Sequence, residues 1–327
     1  MQNFGSPGNG LVGISVNQNK FAINVQGALY AIRQSIEIGS PILDLRQSWL
    51  YPEITNKIKS LLSEVKNRNV VISAQITRIY PGFDEVIKQV ETIRNRLGLR
   101  QLDILEVGSP SILVNMRETL KAVERLYIDE KIGGFSLVEI KAKHMMLIGE
   151  LNLNAKLEYI KLGVNAMRPF INPDILKQVK RLNVPIFSTA PLEGGKLTET
   201  HFNGKLFKHL NGKLYEALDQ ISKSRNLSFA QISIAWLNSK GIISAPSTTS
   251  PNHAFEDISS KPLKPLVEHA DFPHYALRQA SPSSITTVPS GCLRWAKQCH
   301  FLALWPIARL VRLSANTDYL SPPMARA

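Results

Sequence analysis

The chain has 327 residues, 44% of them hydrophobic, which is enough for one large core or two modest ones. Its formal net charge of +13 would suit an anionic partner, but the Lys and Arg are spread along helical segments such as Lys57–Arg68 and Lys205–Lys213. There is no aromatic-interleaved basic stripe and no nucleic-acid motif, so nucleic acid is not an expected partner. The two cysteines, Cys292 and Cys299, form no CxxC pair and define neither a metal site nor a disulfide framework. A reducing, cytoplasmic setting is the expectation. The N-terminal MQNFGSPGNG lacks the basic-then-apolar profile of a signal peptide, and no apolar run is long enough to cross a bilayer.

In chain order, Gly10–Val16 reads as a glycine-bearing strand. Val25–Ile38 carries Ala28, Leu29, Ile32 and Ile36 on one helical stripe and stops at Gly39. Pro41–Leu45 is a strand with Asp44 near its end, and Pro52–Arg68 is a helix with Ile54, Ile58, Leu61, Leu62 and Val65 on one face. Val70–Ile76 is a buried strand, followed by a turn at Tyr80-Pro81-Gly82 and a helix Asp84–Leu97 closed by Gly98. Leu102–Val107 (strand), Met116–Glu130 (helix), Ile132–Val138 (strand), Lys141–Glu150 (helix), Leu157–Val164 (strand) and Asp174–Leu182 (helix) continue the alternation.

The next strand, Val184–Phe187, empties into the small-residue loop Ser188-Thr189-Ala190-Pro191. Pro191 cannot join a sheet ladder, and Gly194-Gly195 frees the backbone. A buried strand opening into such a loop marks the place where parallel α/β folds hold ligands. An ordinary strand exit would look the same. Then Lys213–Arg225 is helical, Ser228 and Gln231 form a capping box for a helix to Ser239, Gly241–Ala245 is the last strand and Ser250–Ile258 a closing helical turn. Strand–helix repetition forces a parallel sheet. Eight units in about 250 residues match a (β/α)8 barrel. A doubly wound open sheet is the alternative, although no GxGxxG follows the first strand.

After Ser260 the rhythm ends. This divides the chain into 1–260 and a divergent tail, 261–327, with scattered prolines. Its one periodic piece, Cys292–Leu313, is apolar with interspersed Arg and is broken by Pro306. It reads as a membrane-surface or partner helix, or as an appendage without fixed structure. The appendage is the expectation, with no membrane contact.

Five phrases in order carry a resemblance: LDILEV (102–107), KIGGFSLVEI (131–140), STAPLEGGKLT (188–198), SFAQISIAWL (228–237) and APSTTSPNHAFED (245–257). From about Gly10 to Ser260 the chain resembles the aldo-keto reductases, and most closely their fungal pyridoxal-reductase-like branch. The resemblance implies a TIM barrel of that type and hydride transfer from NADPH to a small-molecule carbonyl, pyridoxal or another aldehyde. In the family a Tyr donates the proton, a Lys lowers that Tyr's pKa, and an Asp holds the Lys.

Asp44 matches the Asp, but Trp49 stands at the Tyr, Gln75 at the Lys and Gly108 at the His that orients the carbonyl. An indole is no acid at neutral pH, and an amide carries no charge. Tyr51, two residues along the same loop, is the nearest substitute phenol, and Tyr80 is the second. At the nicotinamide site, Val138 stands for the carboxamide-binding Ser, Lys161 for the Gln or Glu of the sixth strand, and Thr189 for the stacking Tyr. Pro191, Leu192, Gly194, Gly195, Ser247, Thr248 and Thr249 remain to hold phosphates largely through backbone. His253 matches the Arg that clamps the 2′-phosphate. Asp257 matches the Asn near the adenine, where a carboxylate would repel a phosphate. The resemblance thus implies an NADP-dependent reductase with weakened or lost turnover. The alternative is an inactive barrel that binds a nucleotide or a protein partner.

Overall fold

The computed structural model describes residues 13–258, apart from 39, 41, 66–69, 78–81, 109–114 and 200–204. Eight parallel strands follow one another in space as they do in sequence: β1 (Ile14–Ser15), β2 (Ile42–Asp44), β3 (Val71–Gln75), β4 (Leu102–Gly108), β5 (Ile132–Val138), β6 (Leu157–Leu162), β7 (Ile186–Ser188) and β8 (Ile242–Ser244). The ring closes through two backbone bonds, from Gly13 N–H to the Ser244 carbonyl (2.8 Å) and from Ser15 N–H to the Pro246 carbonyl (2.9 Å). The described part is therefore a (β/α)8 barrel.

The helices are α1 (Gln18–Ile23), α2 (Val25–Ile38), α3 (Pro52–Glu64), α4 (Phe83–Leu97), α5 (Met116–Ile128), α6 (Ala142–Leu151), α7 (Pro173–Leu182), α8 (Lys205–Arg225), α9 (Phe229–Ser239) and α10 (Pro251–Ile258). Their apolar stripes and the outward faces of the strands form the main core, for instance Ile32 and Ile36 of α2, Ile58 of α3 and Leu43 of β2. A second, smaller cluster plugs the barrel: Ile42, Val71, Ile104, Tyr159, Phe187, Ile243 and Ala245. This division into an outer and an inner apolar layer is what period-2 strands buried on both faces produce.

The helix ends are fixed by the signals read in the sequence. Gly98 takes the left-handed conformation (φ 69°) after α4, and Ser228 and Gln231 form a reciprocal capping box on α9. α8 begins at Lys205, eight residues earlier than expected, because Gly212 reads as a stop yet lies inside the helix. α1 was not expected. It is one and a half turns long and starts where the Asn17 side chain accepts from the N–H groups of Asn19 and Lys20. The tail 261–327, with Cys292–Leu313, and the turn residue Tyr80 lie outside the described residues.

One irregularity positions the site. Phe135 pairs with Leu157 and Ser136 with Tyr159, so β6 carries one extra residue there. A one-residue shift inverts which side chains face inward. Beyond this bulge, Tyr159 and Lys161 point into the barrel, and Ile160 joins the outer core.

Candidate active site

Asp44, Gln75, Gly108 and Val138 end their strands, and Thr189 directly follows β7, so these positions surround one mouth of the barrel. The parallel registers place Ser15, Asp44 and Ser73 side by side, and likewise Gln75, Glu106, Ser136 and Tyr159. Beneath the mouth lies a closed charge network. The Lys161 ammonium is 2.8 Å from Asp44 Oδ2 and donates to both oxygens of Glu106 at 2.7 and 2.9 Å. The Tyr159 hydroxyl donates to Glu106 Oε1 at 2.7 Å. Lys161 is 2% exposed and Glu106 0%, so each charge is answered inside the protein rather than by water. The Tyr159 ring stacks on Phe187 with centroids 4.9 Å apart, and the ammonium sits 4.8 Å from the Phe187 centroid.

The network sets the ionisation of its members. Burial acts to raise the Asp44 pKa, but the charges of Lys161 and Arg46 outweigh it and hold the carboxyl below its ordinary value. Burial dominates at Glu106 and pushes it up, despite Lys161. The Tyr159 phenol is pushed well above the ordinary value by burial, then by the carboxylates of Glu106 and Asp44. Such a phenol holds its proton, and its ring is fully buried. Lys161 thus partners Asp44 from the sixth strand.

Trp49 belongs to the core: it is buried, and its indole N–H donates to the Gln75 carbonyl at 2.8 Å. Arg96 in turn donates to the Trp49 carbonyl at 2.6 Å. Tyr51 caps the start of α3, is 39% exposed, and is not among the residues lining the cavity described next.

That cavity, about 280 Å³, opens between the loops after β7 and β8. It is lined by Pro191, Leu192, Gly194, Gly195, Ser247, Thr248 and His253. Of the cofactor positions read in the sequence only Thr249 is elsewhere, in a shallow depression against α1 and α2. Glu193, Gly194 and Gly195 all have positive φ (48°, 69° and 95°), so the loop needs its glycines to turn. Glu193 is held there by Asn165 and Arg168, whose side chains donate to its carboxylate at 2.6 and 2.8 Å. Thr248 Oγ1 accepts from Ser250 N–H at 3.0 Å and braces the start of α10.

Other lining residues were not picked out in the sequence. Asn17 and Lys20 come from α1 and its cap, and the Lys20 ammonium donates to the Ser247 carbonyl at 3.2 Å. Arg46 comes from the turn after β2; its place two residues beyond Asp44 was the available signal. Asp257 also lines the cavity, with 2% of its surface exposed. Burial, reinforced by Glu256 and only partly opposed by Lys20, pushes its pKa up to about 8. The buried carboxyl thus favours its protonated form.

The aldo/keto reductase family profile matches residues 29–268. The chain belongs to the aldo/keto reductase family. Among its relatives is the 9,11-endoperoxide prostaglandin H2 reductase of Trypanosoma cruzi (strain CL Brener), 24% identical over 230 residues, 70% of this chain and 75% of that protein. The glyoxal reductase of Bacillus subtilis (strain 168) is 21% identical over 195 residues, 60% of this chain and 64% of that protein. Of solved structures, an aldo/keto reductase from Klebsiella pneumoniae, crystallised with NADP and acetate, superimposes with a TM-score of 0.67 at 17% identity. The match covers 81% of this chain and 90% of that one. The barrel is thus the aldo/keto reductase fold. Among the described residues no helix is long and apolar enough to cross a membrane.

Proposed function

We propose that this aldo/keto reductase homologue binds NADP(H) in the cavity between the β7 and β8 loops and reduces aldehydes, pyridoxal among them, slowly, in the cytoplasm. The observation that carries this reading is a mismatch between two parts of one mouth. The glycine-turned loop and the Ser247-Thr248 segment line a common cavity, while the indole of Trp49 is committed to the Gln75 carbonyl. Backbone N–H groups and hydroxyls hold phosphates whatever the neighbouring side chains are. Proton donation needs a particular group with a matched pKa.

In this reading Pro191, Leu192, Gly194, Gly195, Ser247, Thr248 and His253 hold the nucleotide, with Thr249 behind them. Bound NADPH would supply the hydride. Asp44, ionised between Lys161 and Arg46, fixes the charge beneath the mouth. Tyr51 is the phenol nearest in sequence to the vacated acid position, but it stands at a helix cap with its side chain part-exposed. A positioned general acid contributes about 10²–10⁴ in rate, so turnover falls at least that far below a relative with the full set.

The test is NADPH titration by fluorescence, together with NADPH oxidation against pyridoxal and a panel of aldehydes, for wild type and Tyr51→Phe. Binding with slow turnover supports the reading. Family-level turnover would sink the weakened-site part, and loss of that turnover in Tyr51→Phe would make Tyr51 the acid. The same mismatch favours one alternative, a nucleotide-binding barrel without activity, which binding with no turnover would support.

A further inference from the structure

Arg46 is unexplained by the fold. It is a bulky residue with φ 50°, a left-handed conformation that favours glycine, in a turn outside any helix or strand. The turn is locked by its own N–H, which donates to Asp44 Oδ1 at 3.1 Å. From there the side chain crosses the mouth, and Nη2 donates to the Thr189 carbonyl at 2.5 Å. Nε stands 3.6 Å from Asp44 Oδ2, an ion pair rather than a hydrogen bond. Asp44 does not depend on this cation, because Lys161 meets it from inside the barrel at 2.8 Å.

The guanidinium is thus fixed on both sides and 36% exposed, and it lines the cavity with N–H donors to spare. It cannot shed its charge, and its forked donors match a carboxylate or phosphate. The other charged lining groups are Lys20, His253, Glu199, Glu256 and Asp257. Lys20 donates to the Ser247 carbonyl of the same cavity, on the side of the phosphate-suited loop, and Glu199 accepts from Phe229 N–H. Near Arg46 stands one further carboxylate, Glu139, which accepts from the Thr189 hydroxyl at 3.0 Å. The loops suited to the cofactor's phosphates, Gly194-Gly195 and Ser247-Thr248, are separate from the β2 turn.

We propose that Arg46 is the anion-recognition residue of this cavity and that it favours carbonyl substrates bearing an oxyanion, a carboxylate or a phosphate ester, over those, such as pyridoxal, that bear neither. The proposal rests on the reductase reading for the word substrate, but the anion site itself stands on geometry. Strain at a turn that holds a cation over a cavity is the kind of departure that accompanies ligand clamps.

The experiment compares 4-carboxybenzaldehyde with its methyl ester, which differ in charge and little else. Dissociation constants are measured by calorimetry on the full chain, with and without NADPH, for wild type, Arg46→Gln and Arg46→Lys. The acid should bind wild type about tenfold or more tightly than the ester, as charge-assisted forked bonds imply. Arg46→Gln should bring the ratio close to one, with Arg46→Lys between. A wild-type ratio near one, or a ratio unmoved in a folded Arg46→Gln, would overturn the proposal. If Arg46→Gln does not fold, an undiminished ratio in Arg46→Lys overturns it instead. NADPH affinity falling in Arg46→Gln while the aldehyde ratio holds would assign Arg46 to a cofactor phosphate, again against the proposal. Turnover is read separately. No NADPH oxidation with either aldehyde, alongside an Arg46-dependent ratio, would sink the reductase reading while supporting the anion site.

Discussion

The two sides of the barrel mouth have kept different kinds of chemistry. On the β7–β8 side the mouth is shaped by backbone: Gly194 and Gly195 at positive φ, Thr248 bracing α10, and a cavity between the loops. On the β2–β4–β6 side it rests on side chains joined in one charge network. The lysine that answers Asp44 comes from β6; Glu106 shares it and also accepts from the Tyr159 hydroxyl. Backbone sites tolerate change in their neighbours, because the donors are supplied by chain geometry. A charge network tolerates change only when another member restores the balance.

The strongest way to break this comparison is to rebuild the side-chain half. Trp49→Tyr, Gln75→Lys and Lys161→Gln together return a phenol and its cation to the places the resemblance assigns them. NADPH oxidation with an aldehyde should rise by about 10²–10⁴ over wild type. No gain in a folded, NADPH-binding triple variant would mean that more than these groups is missing.

Next in size is the network itself. Lys161→Met leaves Asp44 and Glu106 buried without their cation and should cost about 3–5 kcal/mol of unfolding free energy in urea. A loss below about 1 kcal/mol would mean that water reaches the carboxylates. On the opposite side, the Cβ of Gly194→Ala meets no atom within 4 Å, so its cost is the φ of 69° alone. That amounts to about 1–2 kcal/mol, with weakened NADPH binding as the turn shifts.

Asp257 gives a pH test with a fixed sign. Its pKa of about 8 in the folded chain lies above the ordinary carboxyl value of 3.8. The folded state therefore prefers the protonated form, and stability is highest below the ordinary value and falls as pH rises toward about 8. Asp257→Asn, which cannot ionise, should gain on wild type in melting temperature steadily between about pH 4 and 8. A constant difference would show that the carboxyl titrates normally. The smallest effect belongs to a cap far from any charge network: Ser228→Ala should cost about 0.5–2 kcal/mol.

Much of this was legible in the sequence, for identifiable reasons. Strand order followed from apolar runs such as Val70–Ile76, and the β7 loop from Pro191 and the paired glycines, because propensity and turn chemistry are local. Asp44 was placed near the end of its strand, and there it accepts from Arg46 N–H and pairs with Lys161. What was not legible depended on phase and on distance. Alternation from Leu157 would turn Tyr159 outward, and only the bulge turns Tyr159 and Lys161 inward. Arg46 reaches Thr189, 143 positions away, and no local pattern announces such a contact. The burial that neutralises Asp257 is likewise a property of packing, not of the run in which it lies.

The closure of the barrel has a consequence for how binding would be observed. Between β8 and β1 the ring is sealed by Gly13 and Ser15 donating to the Ser244 and Pro246 carbonyls. The cavity straddles this seam, with Asn17 on one bank and Ala245, Pro246 and Ser247 on the other. A ligand seated there fastens the first strand to the last. The amide protons of Gly13 and Ser15 would then exchange with solvent deuterium more slowly once it is bound, since local opening of the seam must first release it. Two amides at the join would thus report occupancy without any chemistry having taken place.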